Sequence, residues 1–239
     1  MADEREDGER HPRAAESRTG HVAGDNDFDG VSGDEILFQN DNGSLAMWTR
    51  ISAGTGAAPV VYTGTQNPGP SWHVVGTGDT NNNEVAGILW QNDNGALVLW
   101  EDPTFSQAAL TFTFNTLGVF PTVDSSWHVK GMQDINGDRR ADVVFQNDNG
   151  AVVVWEMGGT GGTTITSVNL VNINPGSAWH VVGLRDMNND QKIDILFQHD
   201  NGAAAVWLDY QPLGGGLATF QPFGIIPNPN PNRHVWDLV

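Results

Sequence analysis

The chain writes one stretch four times. Trp179 to Trp207 reads WHVVGLRDMNNDQKIDILFQHDNGAAAVW, and Trp127 to Trp155 reads WHVKGMQDINGDRRADVVFQNDNGAVVVW. Trp72 to Trp100 reads WHVVGTGDTNNNEVAGILWQNDNGALVLW, and a more worn copy runs from His21 to Trp48. The aligned glutamines Gln39, Gln91, Gln146 and Gln198 are 52, 55 and 52 residues apart. A fixed period near fifty residues points to a propeller, solenoid or array, because so small a unit must stack on neighbours to bury its apolar face.

Each unit divides in the same way. A short strand (His-Val-Val-Gly or a near variant) is followed by a polar Asp/Asn loop. An apolar strand comes next, as at Asp194–Gln198, then an Asp-Asn-Gly turn and a third strand, as at Ala203–Trp207. The Asn-Gly pairs at 42–43, 94–95, 149–150 and 201–202 predict hairpins with type I′ turns, which need positive φ at both central residues. The variable segments Pro59–Thr63, Leu110–Asn115, Ile165–Asn172 and Leu217–Phe223 each hold one β-rich run and predict a fourth strand. Helical periodicity is absent. Four strands in about 53 residues is the size of a propeller blade.

The expected fold is therefore all-β: a propeller of four four-stranded blades at residues 21–71, 72–126, 127–178 and 179–232. Arg233-His234-Val235-Trp236 begins a fifth copy of the first strand, so residues 233–239 are expected to close the ring, led in by Pro227–Pro231. The alternative is half of a larger propeller completed by a homodimer. Residues 1–20 are expected to be a disordered, charged tail without the apolar segment of a secretory signal.

Composition narrows the partners. A formal charge of −18 argues against nucleic acid, whose binding rests on Lys and Arg neutralising phosphate. It argues equally against anionic membrane surfaces, and no apolar run is long enough for membrane insertion. Without cysteine there is no disulfide framework or thiol nucleophile. The acids cluster in phase with the repeat, which points to bound cations.

The clusters lie in the loop after each first strand. In the third unit Asp134, Asn136, Asp138 and Asp142 put side-chain oxygens at loop positions 1, 3, 5 and 9, with the Arg140 carbonyl at 7. Asp186, Asn188, Asp190, Asp194 and the Lys192 carbonyl repeat this in the fourth unit. Alternate oxygens curled around one point suit Ca2+, which takes six to eight hard ligands in flexible geometry, better than Mg2+. The second loop keeps Asp79, Asn81 and Asn83 but has Gly87 at position 9. The first has Asp27 and Asp29 but Val31 at position 5; a register shifted by two would use Asp25, Asp27 and Asp29, with Asp34 one residue late. The expected affinity order is the fourth and third loops, then the first, then the second. The competing reading is Asx-rich turns with no ion.

The combination Trp-His-Val-Val-Gly, Asp-x-Asn-x-Asp, Asp-Ile-Leu-Phe-Gln resembles the FG-GAP or VCBS-type repeats of bacterial proteins over residues 21–239. These are similar to the calcium-loop blades of integrin α-chain propellers and of a fungal propeller lectin. The resemblance implies calcium-stabilised binding or adhesion, often to glycans, at an extracellular or cell-surface location.

Three further columns recur. The tryptophans that begin first strands and end third strands are expected to pack between blades. The histidines His21, His73, His128, His180 and His234 either converge on a central channel or hydrogen-bond a neighbouring strand or loop. The hairpin tips (Asn40 and Asp41, Asn92 and Asp93, Asn147 and Asp148, His199 and Asp200) offer amides and carboxylates suited to sugar hydroxyls, and these can equally satisfy the local backbone. His199 is expected to be exposed. No catalytic residues are identified: there is no nucleophile elbow, phosphate loop or His-Glu-x-x-His. The expected function is non-enzymatic, lectin-like binding of a glycan or cell-surface partner; the rivals are a protein-interaction scaffold, or a hydrolase or lyase with its site on one propeller face.

Overall fold

The structure is a computed structural model that describes residues 20–31, 33–49 and 60–226. The expected tail up to residue 19, the Pro227–Pro231 lead-in and the closing strand 233–239, with His234 and Trp236, lie outside the described residues. Within them the fold is all-β, with one short 3-10 turn at Thr160–Gly162.

Each unit is a four-stranded antiparallel meander. The first contains β1 (His21–Asn26), β2 (Glu35–Gln39), β3 (Leu45–Thr49) and β4 (Val60–Gly64). The second contains β5 (Trp72–Gly78), β6 (Gly87–Asn92), β7 (Leu97–Ser106) and β8 (Thr111–Phe120). The third contains β9 (Trp127–Gln133), β10 (Asp142–Asn147), β11 (Val152–Gly158) and β12 (Thr164–Val171). The fourth contains β13 (Trp179–Arg185), β14 (Asp194–His199), β15 (Ala204–Gly214) and β16 (Leu217–Ile226). Short parallel pairings of β4 with β8 and of β12 with β16 merge the units two by two into eight-stranded sheets. Parts of the first strands β1, β5, β9 and β13 line one cavity of about 510 Å3.

The third and fourth strands of the second and fourth units run longer than their apolar patterns indicate. Beyond Trp100 and Trp207 the ladders continue, and Phe105, Tyr210 and Phe220 on these extensions still pack into the cores. The hairpin turns also differ from expectation. Gly43 donates its amide to the Asn40 carbonyl at 2.8 Å, and Asn40 donates to the Ser44 carbonyl at 2.9 Å. Only the glycine lies at positive φ (Gly43 89°, Gly95 85°, Gly150 94°, Gly202 83°). This is a three-residue hairpin loop with a left-handed glycine rather than a type I′ turn. The asparagine before the glycine is held in its own Asx turn: Asn42 Oδ1 accepts the Ser44 amide at 2.9 Å. A side chain at Gly43, Gly95 or Gly150 would overlap backbone at Gly69, Val123 or Gly176.

Successive units stack through complementary faces. Leu37, Leu45 and Met47 of the first unit pack with Ile88, Trp90 and Phe112 of the second. Leu89, Leu97 and Leu99 of the second pack with Phe145 and Trp155 of the third, and Val144, Val152 and Val154 of the third with Phe197 and Trp207 of the fourth. Burial of each such side chain contributes about 1.5–3 kcal/mol, which answers the period of the repeat. The tryptophan column is thus mainly interface filler. Trp48 is 40% exposed, whereas Trp155 and Trp207 are buried.

The repeated glutamine joins units too. Gln146 Nε2 donates to the Trp179 carbonyl at 2.7 Å and its Oε1 accepts the Val181 amide at 2.9 Å. Gln39 makes the same pair of bonds to Trp72 and Val74. Gln198 is buried as well, yet its Nε2 finds no partner among the described residues.

Candidate functional site

The polar loops after the first strands share one backbone course. Position 4 is left-handed in all of them (Gly30, Asn82, Gly137, Asn189), and position 6 is left-handed at Glu84, Arg139 and Gln191. Alternation of this kind turns successive amides inward. The position 1 aspartate collects them: Asp134 accepts the amides of Gly137 at 2.7 Å, Asp138 at 3.0 Å and Arg139 at 2.7 Å. Asp79 does so from Asn83 and Glu84, and Asp186 from Asp190 and Gln191. At position 5, Asp138 and Asp190 each accept the position 7 amide at 2.9 Å, from Arg140 and Lys192. At position 3, Asn136 and Asn188 accept the position 5 amide.

The first loop follows the unshifted register. Asp27 accepts the Gly30 amide at 2.7 Å, as Asp134 accepts that of Gly137, and Glu35 takes position 9. Asp25 pairs within β1 opposite Ile36, so the shifted alternative does not hold. Carboxylate oxygens of Asp27, Asp29 and Glu35 lie within 4.8 Å of one another, the closest grouping of acids among the described residues. Glu35 had no place among the expected ligands, although the unshifted alignment puts it at position 9.

The position 9 carboxylates are buried beneath their loops. Asp142 accepts the Ile135 amide at 3.2 Å and the Met157 amide at 2.9 Å. Asp194 accepts the Met187 amide at 2.7 Å, while its Oδ1 is buried without a partner. Burial, reinforced by Asp138 and Asp134, pushes Asp142 up to about 8. Burial likewise raises Glu35 to about 7, with Asp29 and Asp27 adding to it, and raises Asp194, with Asp190 and Asp186 adding to it. A buried acid beneath neighbouring carboxylates ionises more readily when a cation offsets their charge. The donor set is all oxygen, and Asp194 keeps one buried oxygen free, so these residues fit a hard divalent cation. The expected contribution of Arg140 and Lys192 is a backbone carbonyl; the Arg140 guanidinium donates to the Thr80 carbonyl at 3.0 Å, tying the third loop to the second.

At the other end of the units the histidines meet the hairpin tips. His73 Nε2 lies 2.8 Å from Asp93 Oδ1, His128 Nε2 2.8 Å from Asp148 Oδ1, and His180 Nε2 2.7 Å from Asp200 Oδ1. The cavity walls come from residues farther along each strand (Ala23–Asn26, Val74–Thr77, Lys130–Gln133, Val182–Arg185). The described histidines therefore do not converge on a channel; they join the tips, and two columns that looked separate in sequence are one device. His21 and Asp41 form no such pair among the described residues. The neighbouring amides have local duties as well: Asn92 donates to Ser71 Oγ at 3.1 Å and Asn147 to Ser126 Oγ at 2.7 Å. His199 is half-buried rather than exposed, edge-on to Trp179 at 4.9 Å.

Between the third and fourth units, His128, Lys130, Asp148, Trp179 and His180 line a crevice of about 100 Å3. Burial lowers the Lys130 ammonium, with Asp148 opposing the shift. A half-buried indole and a half-buried ammonium beside exposed imidazole and carboxylate groups offer apolar surface and several hydrogen-bonding atoms to one small ligand.

No curated protein matches the chain. Residues 134–231, which begin at the third-unit loop and run through the fourth unit, match the family model of the FG-GAP-like repeat. The same loop and hairpin recur through the first two units, so the similarity to the FG-GAP-like repeat found at residues 134–231 and the two eight-stranded all-β sheets are together consistent with a β-propeller of such repeats.

Proposed function

We propose that this chain is a non-enzymatic binding module that offers several equivalent shallow sites to a glycan, with Ca2+ in its loops holding the units rigid. One observation carries the reading: exposed His–Asp pairs recur with the same geometry in three successive units, and one of them borders a crevice floored by Trp179. Sugars bind by stacking an apolar ring face on an aromatic while hydroxyls meet carboxylate, amide and imidazole groups. Weak sites repeated at fixed spacing gain avidity on a dense glycan. Ca2+ at the loops suits extracellular or cell-surface service, and its binding to the folded state alone stabilises that state.

The reading takes the four units as blades of one four-bladed ring, because their first strands share one cavity. Residues 233–239 would close it by supplying the strand that Gln198 lacks. A glycan array probed with the wild type and with Asp148→Ala, each with calcium and with EDTA, tests the function. Sugar binding that falls at least tenfold in Asp148→Ala supports it. Binding to no sugar in either condition overturns it in favour of a protein-interaction scaffold.

A further inference from the structure

The second loop lacks a position 9 carboxylate in sequence, but its space is filled. Glu101, on β7, is fully buried and aims its carboxylate across the sheet at Gly87. A Cβ at Gly87 would overlap the Glu101 carboxyl group itself. Thr80 stands at loop position 2, where Phe28, Ile135 and Met187 donate their amides to the position 9 acids of the other loops. In this unit the Thr80 hydroxyl donates to Glu101 Oε1, and its amide also bonds the Glu101 carboxylate. Glu101 therefore stands where Asp142 and Asp194 stand in the next two units, reached from a different strand.

Two buried oxygens in this unit have no partner: Glu101 Oε2 and Asn81 Oδ1. Asn81 gives its Nδ2 to Asp102 at 3.1 Å, and Asn83 does the same at 3.0 Å, so a second acid from β7 holds both loop amides in place. The backbone retains the left-handed residues Asn82 and Glu84 seen at the corresponding positions of the intact loops. The loop's amides are met by Asp79, so the two oxygens left over, Glu101 Oε2 and Asn81 Oδ1, are buried acceptors that a cation would satisfy.

We propose that the second unit binds a divalent cation through Asp79, Asn81, Asn83 and Glu101, with Glu101 replacing the missing position 9 ligand. The inference rests on the reading that these loops take Ca2+, and it raises the second loop from the weakest position to that of a complete site. Glycine at 87 and glutamate at 101 are then a matched pair: one vacates the space that the other fills.

The test counts calcium ions on the intact protein by native mass spectrometry and measures their affinities by calorimetry. Wild type, Glu101→Gln, and the double variant Gly87→Asp/Glu101→Thr are compared. Thr is chosen because Thr49 holds the corresponding buried place in the first unit. Glu101→Gln is expected to lose one ion, or to weaken one site at least tenfold, and the double variant to regain it. If Glu101→Gln does not fold, the double variant decides: folded with the wild-type count it upholds the proposal, and folded with one ion fewer it overturns it. Equal counts and affinities in wild type and Glu101→Gln also overturn it. A wild type that takes up no calcium would defeat the broader reading of the loops as well, whereas a calcium-loaded wild type with an indifferent Glu101→Gln defeats this inference alone.

Discussion

At the scale of single residues, the chain stores unfavourable charge beneath its loops. Glu35, Glu101 and Asp142 are all raised, to about 7, 8 and 8 against ordinary values near 4.5, 4.5 and 3.8. A group whose folded pKa lies above its unfolded value stabilises the fold below the unfolded pKa and loses that contribution as pH rises through the folded one. Without divalent cation, the melting temperature should fall as pH rises from about 5 to 8.5. Asp142→Asn, neutral at every pH, should flatten part of that slope. Saturating calcium should abolish the slope, since the cation holds the acids ionised. A cation-free melting temperature that is constant or rises across this window would contradict the assignment. Each pKa unit is worth about 1.4 kcal/mol, against a total stability of about 5–15 kcal/mol, so the effect is within easy reach of calorimetry.

At the scale of elements, the units are held to one another by apolar faces and by a glutamine clamp. Gln146→Leu leaves the Trp179 carbonyl and the Val181 amide unpaired at a buried interface and should cost about 1–3 kcal/mol, read by chemical denaturation. Gln198→Leu discriminates between two closures. If residues 233–239 supply its partner, the two substitutions cost the same within error; if nothing does, Gln198→Leu is neutral or stabilising. The strands, hairpins and loops were legible in sequence because each repeats with its own period and punctuation. The turn type was not, because Asn-Gly serves both a two-residue turn and the three-residue loop found here; hydrogen bonds accepted by the Asn40 and Asn42 side chains decide it. The long ribbons at Leu97–Ser106 and Ala204–Gly214 also escaped, since Glu101-Asp102-Pro103 and Asp209 interrupt their apolar alternation although Phe105 and Tyr210 still pack into the core. Glu35 could be found by keeping the alignment unshifted. Glu101 could not, for it joins its loop across the sheet, and only coordinates bring residue 101 beside residue 87. The histidine and tip columns were visible, but their pairing needed the fold.

At the scale of the whole molecule, successive units stack through apolar faces, with acidic loops at one end of the strands and His–Asp tips at the other. On the proposed reading this separates stiffening from recognition: cations in the loops would order the scaffold, while the His–Asp tips face solvent. The net charge of −18 is one that cations bound as proposed would reduce. The central claim is that the loops are cation sites and the fold depends on them. It is tested most directly by thermal melting of the intact protein in millimolar calcium and in EDTA, with bound ions counted by native mass spectrometry. A ligand at a hundred times its Kd adds about 2.7 kcal/mol per site, and a domain of this size gains about 2–4 °C per kcal/mol. Two or more bound ions and a rise of roughly 10 °C or more in calcium are the predicted result; superimposable melting curves with no bound ion would contradict it.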